Sequence, residues 1–177
     1  MNEQIKPTNA LTMRFSGDVD GLVAFLCDQD ADPNNRLIAA NNLWRFPSDV
    51  VVRVLIDRLG DLDIDVRKAS VRSLGKLGDQ SAVEPLLRLA NEERSGHLYD
   101  WALDSLARLG ATEVVPLLLY ELKTRERRMR RWAAKTLSRV GGAECIEPLR
   151  AAARRDLPRT VLYRRAVKLV ESRARSS

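Results

Sequence analysis

A single histidine, His97, and two cysteines, Cys27 and Cys145, are all the chain offers of the residues that most often hold metals or act as nucleophiles. One imidazole excludes any centre built on paired histidines. Two cysteines this far apart exclude a CxxC zinc or redox motif. Both thiols are expected to be reduced and in the core, as in a cytoplasmic protein. Aromatic residues make up only 5% of the chain. No run approaches the roughly 20 apolar residues that a membrane span requires. Met1 to Thr12 lacks the basic region followed by an apolar one that marks a secretory leader. A cytoplasmic location without membrane association is expected. There is no Gly-rich phosphate loop, Gly141-Gly142 reads as a turn between helices, and no Ser/His/Asp set can be assembled. No catalytic residue, cofactor or metal ligand is therefore assigned, and the balance leans against an enzyme.

What is present is helical. The 177 residues are 45% apolar and 31% charged, rich in Ala, Leu, Val and Arg, which favour helices. That length suits one domain spanning residues 1–177 with a core of its own, and residues 1–12 are expected to be disordered. The charge is unevenly placed. Residues 1–120 hold 13 Lys/Arg and 18 Asp/Glu, a balance of −5; residues 121–177 hold 17 and 6, a balance of +11. Such a split bears on partners and solubility rather than on fold.

Four markers share one period of about 31 residues. Leu77-Gly78, Leu109-Gly110 and Val140-Gly141 recur at spacings of 32 and 31, and Pro85, Pro116 and Pro148 at 31 and 32. Trp101 and Trp132 lie 31 apart, and Ser70, Ala102, Ala133 and Ala166 keep the same rhythm. Each marker has a physical role. Val66, Ala69, Ser70 and Leu74 form one stripe of a 3.6-residue helix, and so do Leu98, Trp101, Ala102 and Leu106, and Met129, Trp132, Ala133 and Leu137. The small residue admits a neighbouring helix. The Gly ends the helix in the left-handed conformation. The Pro sits in the first turn of a second helix, where its missing N–H costs nothing. A lone helix is expected over 18–28, then helix–turn–helix units over 32–59, 63–91, 96–123 and 125–155. A final helix is expected from Pro158 toward Arg173. Asp32-Pro33 is a strong start signal. Asp61, Asp63 and Asp65 alternate in a loop, but without the Gly and closing Glu of an EF-hand they read as caps and turns.

The segment from Asp65 to Leu87, DVRKASVRSLGKLGDQSAVEPLL, resembles the short HEAT-like repeat best known from phycobilin lyase subunits and many bacterial proteins. The resemblance covers most of residues 32–170. It implies an all-α, right-handed α-solenoid of about four full repeats with single helices at each end. It further implies that second helices line a concave binding face. The exposed positions there would be Arg53, Asp57, Arg58, Glu84, Arg88, Glu121, Lys123, Arg150 and Arg154. The paired His-Glu centre of HEAT-like di-iron hydroxylases cannot be built from one histidine.

The candidate partner-binding residues are Arg125, Arg127, Arg128, Arg130, Arg131, Arg150, Arg154 and Arg155. On a helix Arg127, Arg128 and Arg131 share a sector of about 100°, with Arg130 on the far side. Arginine suits bidentate contact with carboxylate or phosphate. The plainer reading is a solvated charged surface. Arg150 stands where the other units have Leu87 and Leu118, either because the stack ends there and its stem snorkels, or because it faces a partner. Trp101 and Trp132 read as core ridges, Tyr99 and Tyr163 as exposed, and Trp44 and Phe46 as sealing the turn before Pro47. Three functions stay open. The first is a protein-binding scaffold whose partner has an acidic surface. The second is a nucleic-acid binder using the Arg-rich end, although no motif matches the HEAT-like DNA glycosylases. The third, implied by resemblance alone, is a bilin lyase or chromophore chaperone. A monomer or weak self-association is expected.

Overall fold

The computed structural model describes residues 9–93, 96–124, 126–156 and 160–176. Arg125, Pro158 and Arg159 lie outside the described residues. Within them are eleven α-helices: α1 (Ala10–Ser16), α2 (Val19–Cys27), α3 (Pro33–Leu43), α4 (Asp49–Asp57), α5 (Ile64–Leu77), α6 (Val83–Glu93), α7 (His97–Arg108), α8 (Val115–Thr124), α9 (Arg127–Val140), α10 (Ile146–Arg155) and α11 (Val161–Ala174). The pairs α3–α4, α5–α6, α7–α8 and α9–α10 are the four repeats, and α11 is a first helix without a second. Ala10 to Thr12, expected to be disordered, are helical. Asn9 caps them by accepting from the Thr12 N–H at 3.0 Å.

Side-chain caps fix where the helices begin. Asp18 accepts from Gly21 N–H at 2.8 Å, and Asp32 from Asn34 N–H at 2.9 Å beside Pro33 at the first helical position. Asp63 accepts from the N–H groups of Asp65 and Val66, satisfying two donors the helix cannot. Pro85, Pro116 and Pro148 each fall in the first turn of a second helix, after a short 3₁₀ turn. Gly78 and Gly110 end their helices at φ 79° and 75°, the left-handed conformation the pattern predicted. Gly141 does not. It is extended at φ −69°, and the α9 terminus is closed instead by Arg173, which donates 2.6 Å bonds to the carbonyls of Ser138 and Gly141.

The helices form two compact units, Met1–Ser105 and Leu106–Ser177, and the division falls within α7. In the first, α1 and α2 pack on α3, while α3 and α4 pack on α5. Leu22, Leu26, Leu43, Leu55, Leu74 and Leu86 are fully buried, each contributing roughly 1.5–3 kcal/mol of apolar burial. Two serines tie successive first helices. Ser73 donates to the Ala40 carbonyl at 2.6 Å and Ser105 to the Val71 carbonyl at 2.9 Å, so neither buried hydroxyl is left unpaired. In the second unit α8 packs on α9, and α9 and α10 pack on α11 around Leu118, Leu137, Leu149 and Tyr163.

Several expectations are corrected. Tyr99 and Tyr163 are buried, not exposed. Trp101 is 37% exposed and Trp132 half-buried, so the ridge tryptophans lie at the rim of the stripe rather than in the core. Arg72 stacks 4.9 Å from the Trp101 ring, and Lys76 lies 4.3 Å from the ring of Trp44. Cys27 is exposed and only Cys145 is buried. Among the second-helix positions, Glu121 is buried and Arg58 turns inward toward Asp61, while Arg53, Asp57 and Lys123 are exposed. No described helix is long and apolar enough to cross a membrane.

Candidate partner-binding groove

The sequence of α9 conflicts with its own dipole. Arg127, Arg128 and Arg130 occupy the first turn, where no acidic residue stands and Glu126 makes no side-chain cap. Cations at a helix N-terminus cost about 0.3–1 kcal/mol each. The buried face is conventional: Ala133, Ala134, Leu137 and Val140 pack inward, and the hydroxyl of Thr136 donates to the Trp132 carbonyl at 3.0 Å.

A buried polar cluster holds this helix end. Asp156 caps α10 at 3% exposure and accepts from Arg130 and from the hydroxyl of Tyr163. Arg127 donates to the Asp156 carbonyl at 3.0 Å. Burial alone would raise the Asp156 pKa. The hydrogen bonds from Arg130 and Tyr163 outweigh it, and the carboxyl lies below its ordinary range. Burial, and then the bond to Asp156, push the Tyr163 phenol up to about 12. This cluster anchors α11 beside α9.

Between the two helices runs a groove. One stretch, about 500 Å³, lies between Arg131, Lys135 and Arg139 on α9 and Val161, Arg165 and Leu169 on α11. An adjoining stretch of about 420 Å³ is bounded by Arg127, Arg128 and Trp132. Arg131, Lys135 and Leu162 belong to both, which makes them one groove. Its floor is apolar: Val161 is 77% and Leu169 46% exposed, with Leu162 and Trp132 half-buried between them. Among the described residues, Arg128, Arg131, Lys135 and Arg165 have no acidic partner.

The eight candidate arginines therefore separate. Arg127, Arg128 and Arg131 meet at the groove. Arg130 is the largely buried partner of the Asp156 carboxylate, and Arg127 reaches the carbonyl of the same residue, so Arg130 is not set apart from Arg127. Arg150 is half-exposed and neutralised by Glu147 at 2.6 Å and Glu171 at 2.9 Å, so it faces no free partner surface. Arg155 donates to the Lys123 carbonyl at 2.9 Å, and Arg154 is exposed away from the groove lining. Arg165 belongs to the basic end that the sequence shows, whereas Val161, Leu169 and Lys135 were not singled out from it. Their signal was there in α11, where outward apolar residues eight apart flank a cation. The groove lies between first helices, not on the second-helix face that the repeat architecture favours.

A family model for HEAT repeats matches residues 19–98 and 95–169. The chain belongs to the HEAT-repeat family. No curated protein matches it. Among solved structures it is similar to the complex of CpcE and CpcF of phycocyanin lyase from Nostoc sp. PCC7120. That match has 21% identity, covers 91% of this chain and 85% of that one, and has a TM-score of 0.50. The likeness is one of fold.

Proposed function

We propose that the chain is a non-enzymatic protein-binding adaptor whose C-terminal unit takes a partner with an acidic surface in the α9–α11 groove. One observation carries this reading: four cations with no acidic partner among the described residues surround an apolar floor. Exposed Val161 and Leu169, with half-buried Leu162, gain by leaving water, while the rim selects negative charge. A phosphate backbone would satisfy the rim and leave the floor wet, so protein is favoured over nucleic acid. Repeat proteins of this kind commonly act by presenting such surfaces. Lyase chemistry has only the likeness of fold behind it, which does not carry function.

Fluorescence anisotropy across a salt series tests the reading, with labelled poly-glutamate peptide, an acidic peptide containing leucine, and single- and double-stranded oligonucleotides. The leucine-containing peptide should bind most tightly and lose affinity in the Arg128→Glu/Arg131→Glu variant. Tighter binding of oligonucleotide, with a steep salt dependence, would replace this reading with the nucleic-acid one.

A further inference from the structure

Resting on that reading, we propose that the occupant of the groove is an acidic amphipathic α-helix of a partner protein. It would lie with its apolar stripe on Val161, Leu162 and Leu169 and its carboxylates against Arg128, Arg131 and Arg165.

Backbone chemistry selects a helix. An extended peptide that docks by its main chain needs unpaired N–H and C=O groups on its receptor, as at a sheet edge. Both walls here are helices: from Arg130 on α9 and Arg164 on α11 onward the backbone N–H groups are bonded within the helix, and the few unbonded N–H groups of the two first turns point along the helix axes rather than across the groove. Away from those first turns, a segment lying along this groove finds side chains and no backbone partners. Its own backbone groups would lose water against the apolar floor unless they were bonded internally, and a helix bonds them all.

Dimensions and charge agree. Arg127 and Arg139 are twelve rises apart, about 18 Å along α9, the length of a helix of just over three turns. Val161 and Leu169 stand eight residues apart on α11 and face the groove along with Leu162. An apolar stripe at i, i+4 and i+7 on the partner matches that spacing. Cations rise on both sides of the floor, Arg128, Arg131 and Lys135 from α9 and Arg165 from α11. Acidic residues flanking the stripe on both sides therefore meet opposite charge. A helix acidic on one side only would leave half the rim unmatched.

The test uses the full chain and two labelled peptides of about 14 residues. One carries Leu at helical spacing with Glu and Ala elsewhere; the other is a scramble of the same composition. The amphipathic peptide should bind at least about tenfold more tightly than the scramble and gain helical circular dichroism on binding. It should lose about tenfold in Leu169→Asp and in Val161→Asp, each with an unchanged urea midpoint because the parent side chains face solvent. Equal affinity for both peptides overturns the helix and leaves the acidic-partner reading standing. No binding of either at low salt overturns both. Sedimentation of the protein alone completes the test. A dimer abolished by Leu169→Asp would make a second copy the occupant and overturn the proposal. A monomer throughout agrees with it.

Discussion

The guanidinium of Arg36 grips the carboxylate of Asp61 with two hydrogen bonds of 3.2 Å, Nε to Oδ2 and Nη2 to Oδ1. Both residues are almost fully buried, and Arg36 also donates to the Gln29 carbonyl at 3.0 Å. Arg36 is the fourth residue of its helix, and Asp61 follows the second helix of the same repeat. Arg130 and Asp156 hold the equivalent places in the fourth repeat. The pair pins the start of a first helix to the loop that leads to the next repeat.

Breaking this pair from one side should be costly. Asp61→Ala leaves a buried guanidinium without its counter-charge and is expected to destabilise by about 3–5 kcal/mol, whereas Arg36→Met with Asp61→Leu should be close to neutral. Arg88→Ala, which removes the exposed partner of Glu84 at 3.9 Å, should change stability by less than about 1 kcal/mol. Urea unfolding midpoints check all three.

The second cluster gives a pH dependence with two edges. The Asp156 carboxyl is held below its ordinary value, so its stabilisation is present at neutral pH. It is lost as pH falls below the usual carboxylate range through the lowered folded value. The Tyr163 phenol is raised to about 12, so its contribution is complete below the ordinary tyrosine value and lost as pH rises toward about 12. In a spectrophotometric titration, Tyr163→Phe should remove the tyrosine absorbance change near pH 12.

Gly75 is fixed by contact rather than by backbone conformation. A Cβ there would stand 2.7 Å from the Cβ and 2.9 Å from the Cα of Ser105. Alanine gains about 1 kcal/mol of helix propensity at a mid-helix site, and overpacking costs about 1–3 kcal/mol. Because one clashing atom belongs to the backbone, the clash should win. Gly75→Ala is expected to lower the melting temperature.

The two thiols should behave oppositely. Cys27 is exposed. Cys145 is buried, and burial, together with the nearby Glu144 carboxylate, pushes its thiol up to about 12, where almost no thiolate exists at neutral pH. A thiol-disulfide reagent at neutral pH should titrate one cysteine in the native protein and two in denaturant.

The repeats were legible because each marker is a local rule. Pro85, Pro116 and Pro148, Gly78 and Gly110, and the capping aspartates act within a few residues of themselves. Tyr163 was misjudged because one position of helical phase separated it from the stripe, and a neighbouring Asp156 made its burial affordable to the phenol. Trp101 looked like core by period, yet a large ring at the stripe's edge can stay half in water beneath Arg72. The Arg36–Asp61 pair was out of reach, since its partners lie 25 residues apart in different elements. The basic end was visible as composition. Its division into Arg130 and Arg150, which have acidic partners, and Arg128 and Arg131, which have none among the described residues, required Asp156, Glu147 and Glu171 to be placed beside the first two. Arg125 lies outside the described residues.

The location of the partner surface is tested most directly by hydrogen exchange, measured by mass spectrometry, with and without the acidic amphipathic peptide at saturation. Protection confined to peptides from α9 and α11, and absent in Arg128→Glu/Arg131→Glu, is the predicted result. Protection on the second helices α4, α6 and α8, with α9 and α11 unchanged, would contradict it and place the binding surface on the other face of the repeats.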